Sequence, residues 1–85
     1  MANYSVVVKA SAAKELDAIP RKELQRIVKK IGALITSPRP LGCEKLSGAE
    51  KYRLRQGDYR IVYEIDDSAR RVIIVKIGHR RDVYR

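Results

Sequence analysis

The chain has 85 residues, of which 45% are hydrophobic, enough apolar material for one core and too little length for two, so a single domain spanning 1–85 is expected and a multidomain enzyme is excluded. Nineteen Lys and Arg against ten Asp and Glu leave a formal charge of +9, which points to a polyanionic partner: nucleic acid, an acidic protein, or both. With one cysteine, Cys43, and one histidine, His79, neither an internal disulfide nor a structural zinc cage can form, and no metal or other cofactor is expected.

Tyr4 to Lys9 reads as a short buried strand built on Val6, Val7 and Val8. Ser11 is positioned to cap a first helix running to about Ile19, where Pro20 ends it. Beyond Pro20, apolar residues at Leu24, Ile27, Val28, Ile31, Leu34 and Ile35 describe one helical stripe, opposed by Arg21, Lys22, Gln25, Arg26, Lys29 and Lys30. Ser37-Pro38-Arg39-Pro40 stops this second helix. The two helices form a hairpin.

From Leu41 to Glu50 the pattern is that of a loop anchored by Leu46. Three strands follow: Lys51 to Gln56, Tyr59 to Asp66 after a turn at Gly57, and Arg71 to Ile77 after Asp67-Ser68-Ala69. In the last of them Val72-Ile73-Ile74-Val75 is apolar on both parities, as in an inner strand covered on two faces. The predicted fold is α+β: an N-terminal strand, a two-helix hairpin, then a three-stranded antiparallel meander in one twisted sheet, β-α-α-β-β-β. Apolar runs are far shorter than the roughly 20 residues that span a bilayer, and the N-terminal residues carry no basic region followed by an apolar one, so a cytoplasmic location without membrane contact is expected.

The two-residue period of a strand places Arg53 and Arg55 opposite in parity to Tyr52 and Leu54, and Arg60 opposite to Tyr59, Ile61 and Tyr63. Pairing Arg60 with Arg53 or with Arg55 makes the two apolar sets coincide and gathers three guanidinium groups on the face away from the helices; a slip by one residue would scatter them. Like charges side by side on a sheet are unfavourable, so the cluster implies an anion. Lys76, His79, Arg80, Arg81 and Arg85 add basic side chains around Tyr84. Arginine forks bind phosphate and tyrosine stacks on unpaired bases, a combination suited to single-stranded RNA.

The segments Leu46-Ser47-Gly48, Tyr52-Arg53-Leu54-Arg55, Gly57-Asp58-Tyr59-Arg60-Ile61-Val62-Tyr63 and Ile77-Gly78-His79-Arg80, with Tyr84 near the end, resemble the RelE/ParE superfamily of toxins from type II toxin-antitoxin pairs, over essentially the whole chain. Arg60, Arg80 and Tyr84 together are closer to the RelE branch. The resemblance implies a translation-inhibiting mRNA endonuclease working in the ribosomal A site, in which the ribose 2′-OH attacks the adjacent phosphate to give a 2′,3′-cyclic phosphate without a metal. It also implies a monomeric toxin held in a hetero-oligomer with an acidic, RelB-like antitoxin. By the same resemblance Arg53 and Arg55 border the scissile phosphate where relatives carry lysines, Arg60 holds it, Arg80 assists the leaving 5′-oxygen and Tyr84 stacks on or orients the nucleotide. Lys51, Lys76, Arg81 and Arg85 are assigned to RNA binding. Arginine cannot shed its proton as a crowded lysine does, so acid-base work falls to His79, Glu64, Glu44 or Glu50. A DNA gyrase inhibitor of the ParE type and a catalytically inactive, antitoxin-binding member are the alternatives.

Overall fold

The computed structural model describes residues 3–46 and 50–79. Strand β1 (Ser5–Val8) is followed by helices α1 (Ala10–Asp17) and α2 (Arg21–Ala33), then β2 (Glu44–Leu46), β3 (Lys51–Gln56), β4 (Tyr59–Asp66) and β5 (Arg71–His79). The five strands form one sheet in the order β1-β5-β4-β3-β2. Only β1 and β5 run parallel; the other neighbours are antiparallel. The α+β architecture and the helix pair match the sequence reading, with one added strand.

That strand corrects the expectation of a loop over 41–50. Glu44, Lys45 and Leu46 pair with Arg53, Tyr52 and Lys51, because the edge of β3 offers unpaired backbone groups to any extended segment beside it. The start of α1 also differs. The Lys9 N–H still bonds to the Ile74 carbonyl at 2.9 Å, so the chain stays on the sheet through Lys9 and turns directly into the helix. Lys9 is then the N-cap, with no side-chain capping bond, and Ser11 falls inside the first turn.

The helices cover one face of the sheet. Ile27, Ile31 and Leu34 of the α2 stripe are buried, whereas Val28 and Ile35 lie on its flank, 53% and 38% exposed; the stripe is narrower than the spacing suggested. Beneath it, Tyr52 and Tyr63 stack with ring centroids 5.8 Å apart, beside Leu54, Ile61, Ile65, Val72, Ile74 and Ile77. The double parity of β5 has a specific cause. Val62 opposes Lys76 but Tyr63 opposes Ile74, so Val75 is the extra residue of a bulge. Val72 and Ile74 point to the core before it and Ile77 after it, and both parities are needed on one face.

A polar clasp closes the end of the sheet near the start of β1. Arg39 donates from Nη2 to Asp67 Oδ2 at 2.9 Å, from Nη1 to Oδ1 at 3.3 Å, and from Nε to the Tyr52 hydroxyl at 2.9 Å. Tyr4 OH donates to Asp67 Oδ1 at 2.7 Å and Tyr52 OH to Glu50 Oε2 at 3.2 Å. The Arg39 and Tyr4 bonds hold the Asp67 carboxyl below its usual range, against a small opposing effect of desolvation. A carboxyl depressed in the fold contributes its stability above the unfolded value of about 3.9 and loses it as pH falls through the folded one. Urea midpoints measured at pH 7, 5 and 3 should therefore drop most in the acid interval, and Asp67→Asn should lower the midpoint at pH 7 while flattening that drop. An unchanged acid drop would exclude Asp67 as a contributor.

Candidate phosphate-binding site

Gly57, at φ 60°, and Asp58 form a two-residue connection, a conformation glycine adopts without strain. It pairs Gln56 with Tyr59 and so places Arg55 directly opposite Arg60, with Arg53 opposite Val62. Of the two registers compatible with the apolar pattern, centring the turn on Gly57-Asp58 rather than on Gln56-Gly57 selects this one. The three guanidinium groups share the face away from the helices. They line one depression of about 420 Å³ with Gly42, Cys43 and Glu44. Arg60 is 6% exposed, the Arg53 side chain 17%, and Arg55 stands in solvent, so the cluster grades from a buried inner group to an exposed outer one.

Glu44 enters because β2 pairs it with Arg53. Its Oε1 accepts from Arg53 Nε at 3.2 Å and also from Nη2. Arg53, through these bonds and its charge, holds the Glu44 carboxyl below the ordinary carboxylate range, and Arg60 and Arg55 add to the effect. One carboxylate faces three guanidinium groups. The depression keeps an excess of positive charge, which suits an anion.

The remaining predicted residues are distributed as follows. Lys51 lies on the same face, 3.9 Å from Glu64. Lys76 reaches Glu15 of α1 at 3.1 Å, while the other Glu15 oxygen accepts the Ile77 N–H at 2.8 Å. His79 pairs with Tyr59 across β4 and β5, edge-on to its ring at 5.8 Å. It borders a separate hollow with Glu15 and Ile19 and is not brought together with the arginines. Arg80, Arg81, Tyr84 and Arg85 lie outside the described residues. Among the acid-base candidates, Glu50 belongs to the Arg39 clasp and Glu64 to Lys51; Glu44 is the one lining the arginine depression. Gly42 and Cys43, which precede β2, were not singled out for this role by sequence. Among the described residues, no group of three or more His, Cys, Asp or Glu side chains could hold a metal ion, and no helix is long and apolar enough to cross a membrane.

Comparison with known proteins places this geometry in context. The pattern of the family described as ParE toxin of type II toxin-antitoxin system, parDE, matches residues 6–84. The chain is 38% identical to Toxin RelE of Mycobacterium tuberculosis over 84 residues, covering 96% of this chain and 87% of that protein. It is 33% identical to Toxin RelG of the same organism, covering 96% and 97%. Among solved structures, the archaeal RelE-RelB complex from Pyrococcus horikoshii OT3 superimposes with a TM-score of 0.84 at 27% identity, covering 92% of this chain and 96% of that one. The isolated Escherichia coli RelE toxin gives 0.80 at 25%, covering 89% and 83%. A sheet that gathers arginines on its open face, two helices behind it, and this agreement along nearly the whole length show that the chain belongs to the RelE/ParE superfamily, as a RelE-like toxin of a type II toxin-antitoxin system.

Proposed function

We propose that this toxin is a ribosome-dependent mRNA endonuclease, and the observation that carries the reading is the convergence of Arg53, Arg55 and Arg60 with Glu44 in one depression. Arg60, buried and flanked by the sheet, holds the scissile phosphate and stabilises the charge that builds on its oxygens. Arg53 and Arg55 neutralise the same phosphate from the more exposed side. Arginines cannot serve as the base, and Glu44 is the carboxylate within their reach. It takes the proton of the ribose 2′-OH as that oxygen attacks phosphorus, and the 5′-oxygen leaves, giving a 2′,3′-cyclic phosphate. The guanidinium field makes Glu44 a weaker base than usual and keeps it ionised at neutral pH.

By the resemblance of the chain to RelE, Arg80 assists the leaving oxygen and Tyr84 orients the nucleotide, with the ribosome presenting mRNA in its A site. By the likeness to RelE-RelB complexes, the neutralising partner is an acidic RelB-like antitoxin, which the +9 charge favours. A second reading, inhibition of DNA gyrase, draws on the ParE family pattern. Expression of the toxin alone followed by primer extension on translated messages separates the two. Cuts within codons support cleavage; intact mRNA together with DNA cleavage complexes would overturn it in favour of gyrase.

The role of Glu44 has its own test. Glu44→Gln should lower the single-turnover cleavage rate by about 100- to 10,000-fold. In the unsubstituted toxin, the fall in rate toward acid should have its midpoint below the usual glutamate value of about 4.3, because the folded carboxyl is depressed. A Gln variant that retains the full rate would assign the base elsewhere.

A further inference from the structure

A second hollow, of about 530 Å³, adjoins the arginine depression on the open face, and the two share Arg53. Its floor is apolar: Leu46 of β2, Val62 of β4 and Val75, the bulged residue of β5. Its rim is cationic, from Lys9, Lys51 and Lys76, and none of its lining residues is acidic. An aliphatic floor inside a basic rim is neither a simple anion site nor a hydrophobic docking groove. It matches a ligand that is flat and apolar at the centre and negatively charged at the edge.

We infer that this hollow is a nucleotide subsite for the residue of RNA next to the scissile phosphate, with the base lying on Val62, Val75 and Leu46 and its flanking phosphate held by Lys9, Lys51 and Lys76. The inference rests on the cleavage reading above and adds to it the place of the neighbouring base. Adjacency favours one continuous ligand, since a chain whose phosphate sits among Arg53, Arg55 and Arg60 must send its next nucleotide somewhere on this face. The bulge contributes directly: as the extra residue beside Lys76, Val75 joins Val62 in lining the open face, where strict alternation would have turned it to the core.

The rim is available to such a ligand. Lys51 and Lys76 contact Glu64 and Glu15, but all four side chains are at least 31% exposed, and exposed pairs of this kind are weak and readily exchanged. Lys9 makes no ion pair among the described residues. It is also the N-cap of α1, whose first turn carries no acidic side chain, so the positive end of the helix dipole reinforces the same corner.

The probe is a trinucleotide of 2′-O-methyl RNA, which lacks the attacking hydroxyl and stays intact, titrated into the free toxin and followed by NMR. The Leu46, Val62 and Val75 methyl signals should shift, with contacts to base protons, alongside the Arg53, Arg55 and Arg60 side chains. An abasic nucleotide at the flanking position should weaken binding about tenfold, the scale of removing roughly half a base face from apolar contact, and Val75→Asn should weaken it similarly. Lys9→Ala, on an exposed site, should reduce affinity and flatten its salt dependence. Shifts confined to the arginines, or equal affinity for the abasic probe, would overturn the subsite while leaving the cleavage reading standing. Absence of shifts at both places would likewise overturn the subsite, while the cleavage reading, in which the ribosome presents the message, is decided by primer extension. Methyl shifts produced only by an acidic peptide would reassign the hollow to a protein partner.

Discussion

Arg60→Ala is expected to lower mRNA cleavage by about 100- to 1,000-fold, the range seen when one preorganised donor to a developing oxyanion is removed, and to abolish growth arrest on expression. The reason is positional. Arg60 stands on a central strand between β3 and β5, 6% exposed, so its guanidinium is ordered before substrate arrives, whereas Arg55 on the same face is in solvent. Arg60→Lys should recover little, because one ammonium cannot reproduce a planar two-point fork. Arg55→Ala should be milder than either. Circular dichroism and thermal melting serve as the fold control, since Arg60 contributes to the open face and not to the core beneath the helices. A full cleavage rate in folded Arg60→Ala would move the catalytic face elsewhere.

Tyr63→Ala is expected to have the largest effect on stability, about 3–5 kcal/mol, a large share of what a domain of this size holds in total. The side chain is fully buried and stacks on Tyr52, and its hydroxyl donates to the Pro38 carbonyl at 2.9 Å. Burial, with the nearby Cys43 adding to it, pushes its phenol well above the ordinary range. Tyr63→Phe keeps the ring and loses the bond, and should cost about 0.5–1.5 kcal/mol plus the penalty of a carbonyl left without its donor. Urea unfolding of the two variants gives both numbers. Similar losses for Phe and Ala would mean that the hydrogen bond, and not the packing, dominates.

Much of this arrangement was legible in the residues. The alternation of Tyr52-Arg53-Leu54-Arg55 against Tyr59-Arg60-Ile61 restricts the hairpin to registers that cluster arginine, and Gly57-Asp58 decides between them. What was hidden arises from contacts distant in sequence. Glu44 was one of four acid-base candidates in the sequence, and what singles it out is its recruitment by β3 as an edge partner. Arg39, which in sequence is one residue of a helix-breaking stretch between two prolines, becomes the centre of the Asp67 clasp. The β5 bulge could not be read either, since Val72-Ile73-Ile74-Val75 is equally consistent with two covered faces; the pairing of Val62 with Lys76 resolves it.

The parallel pairing of Ser5 with Arg71 and of Val8 with Ile74 joins the earliest strand to the latest. Such non-local closure is slow relative to helix or hairpin formation, and here it cannot begin until almost all of the described chain has been synthesised. The hairpin bearing Arg53, Arg55 and Arg60 can form by itself, yet without β5 its other edge is open and the α1 anchor at Glu15 has no Ile77 N–H to hold. A chain interrupted before Arg71 therefore carries the arginines without the platform that aims them. The arginine face is in this way completed only when translation of the described chain is nearly finished.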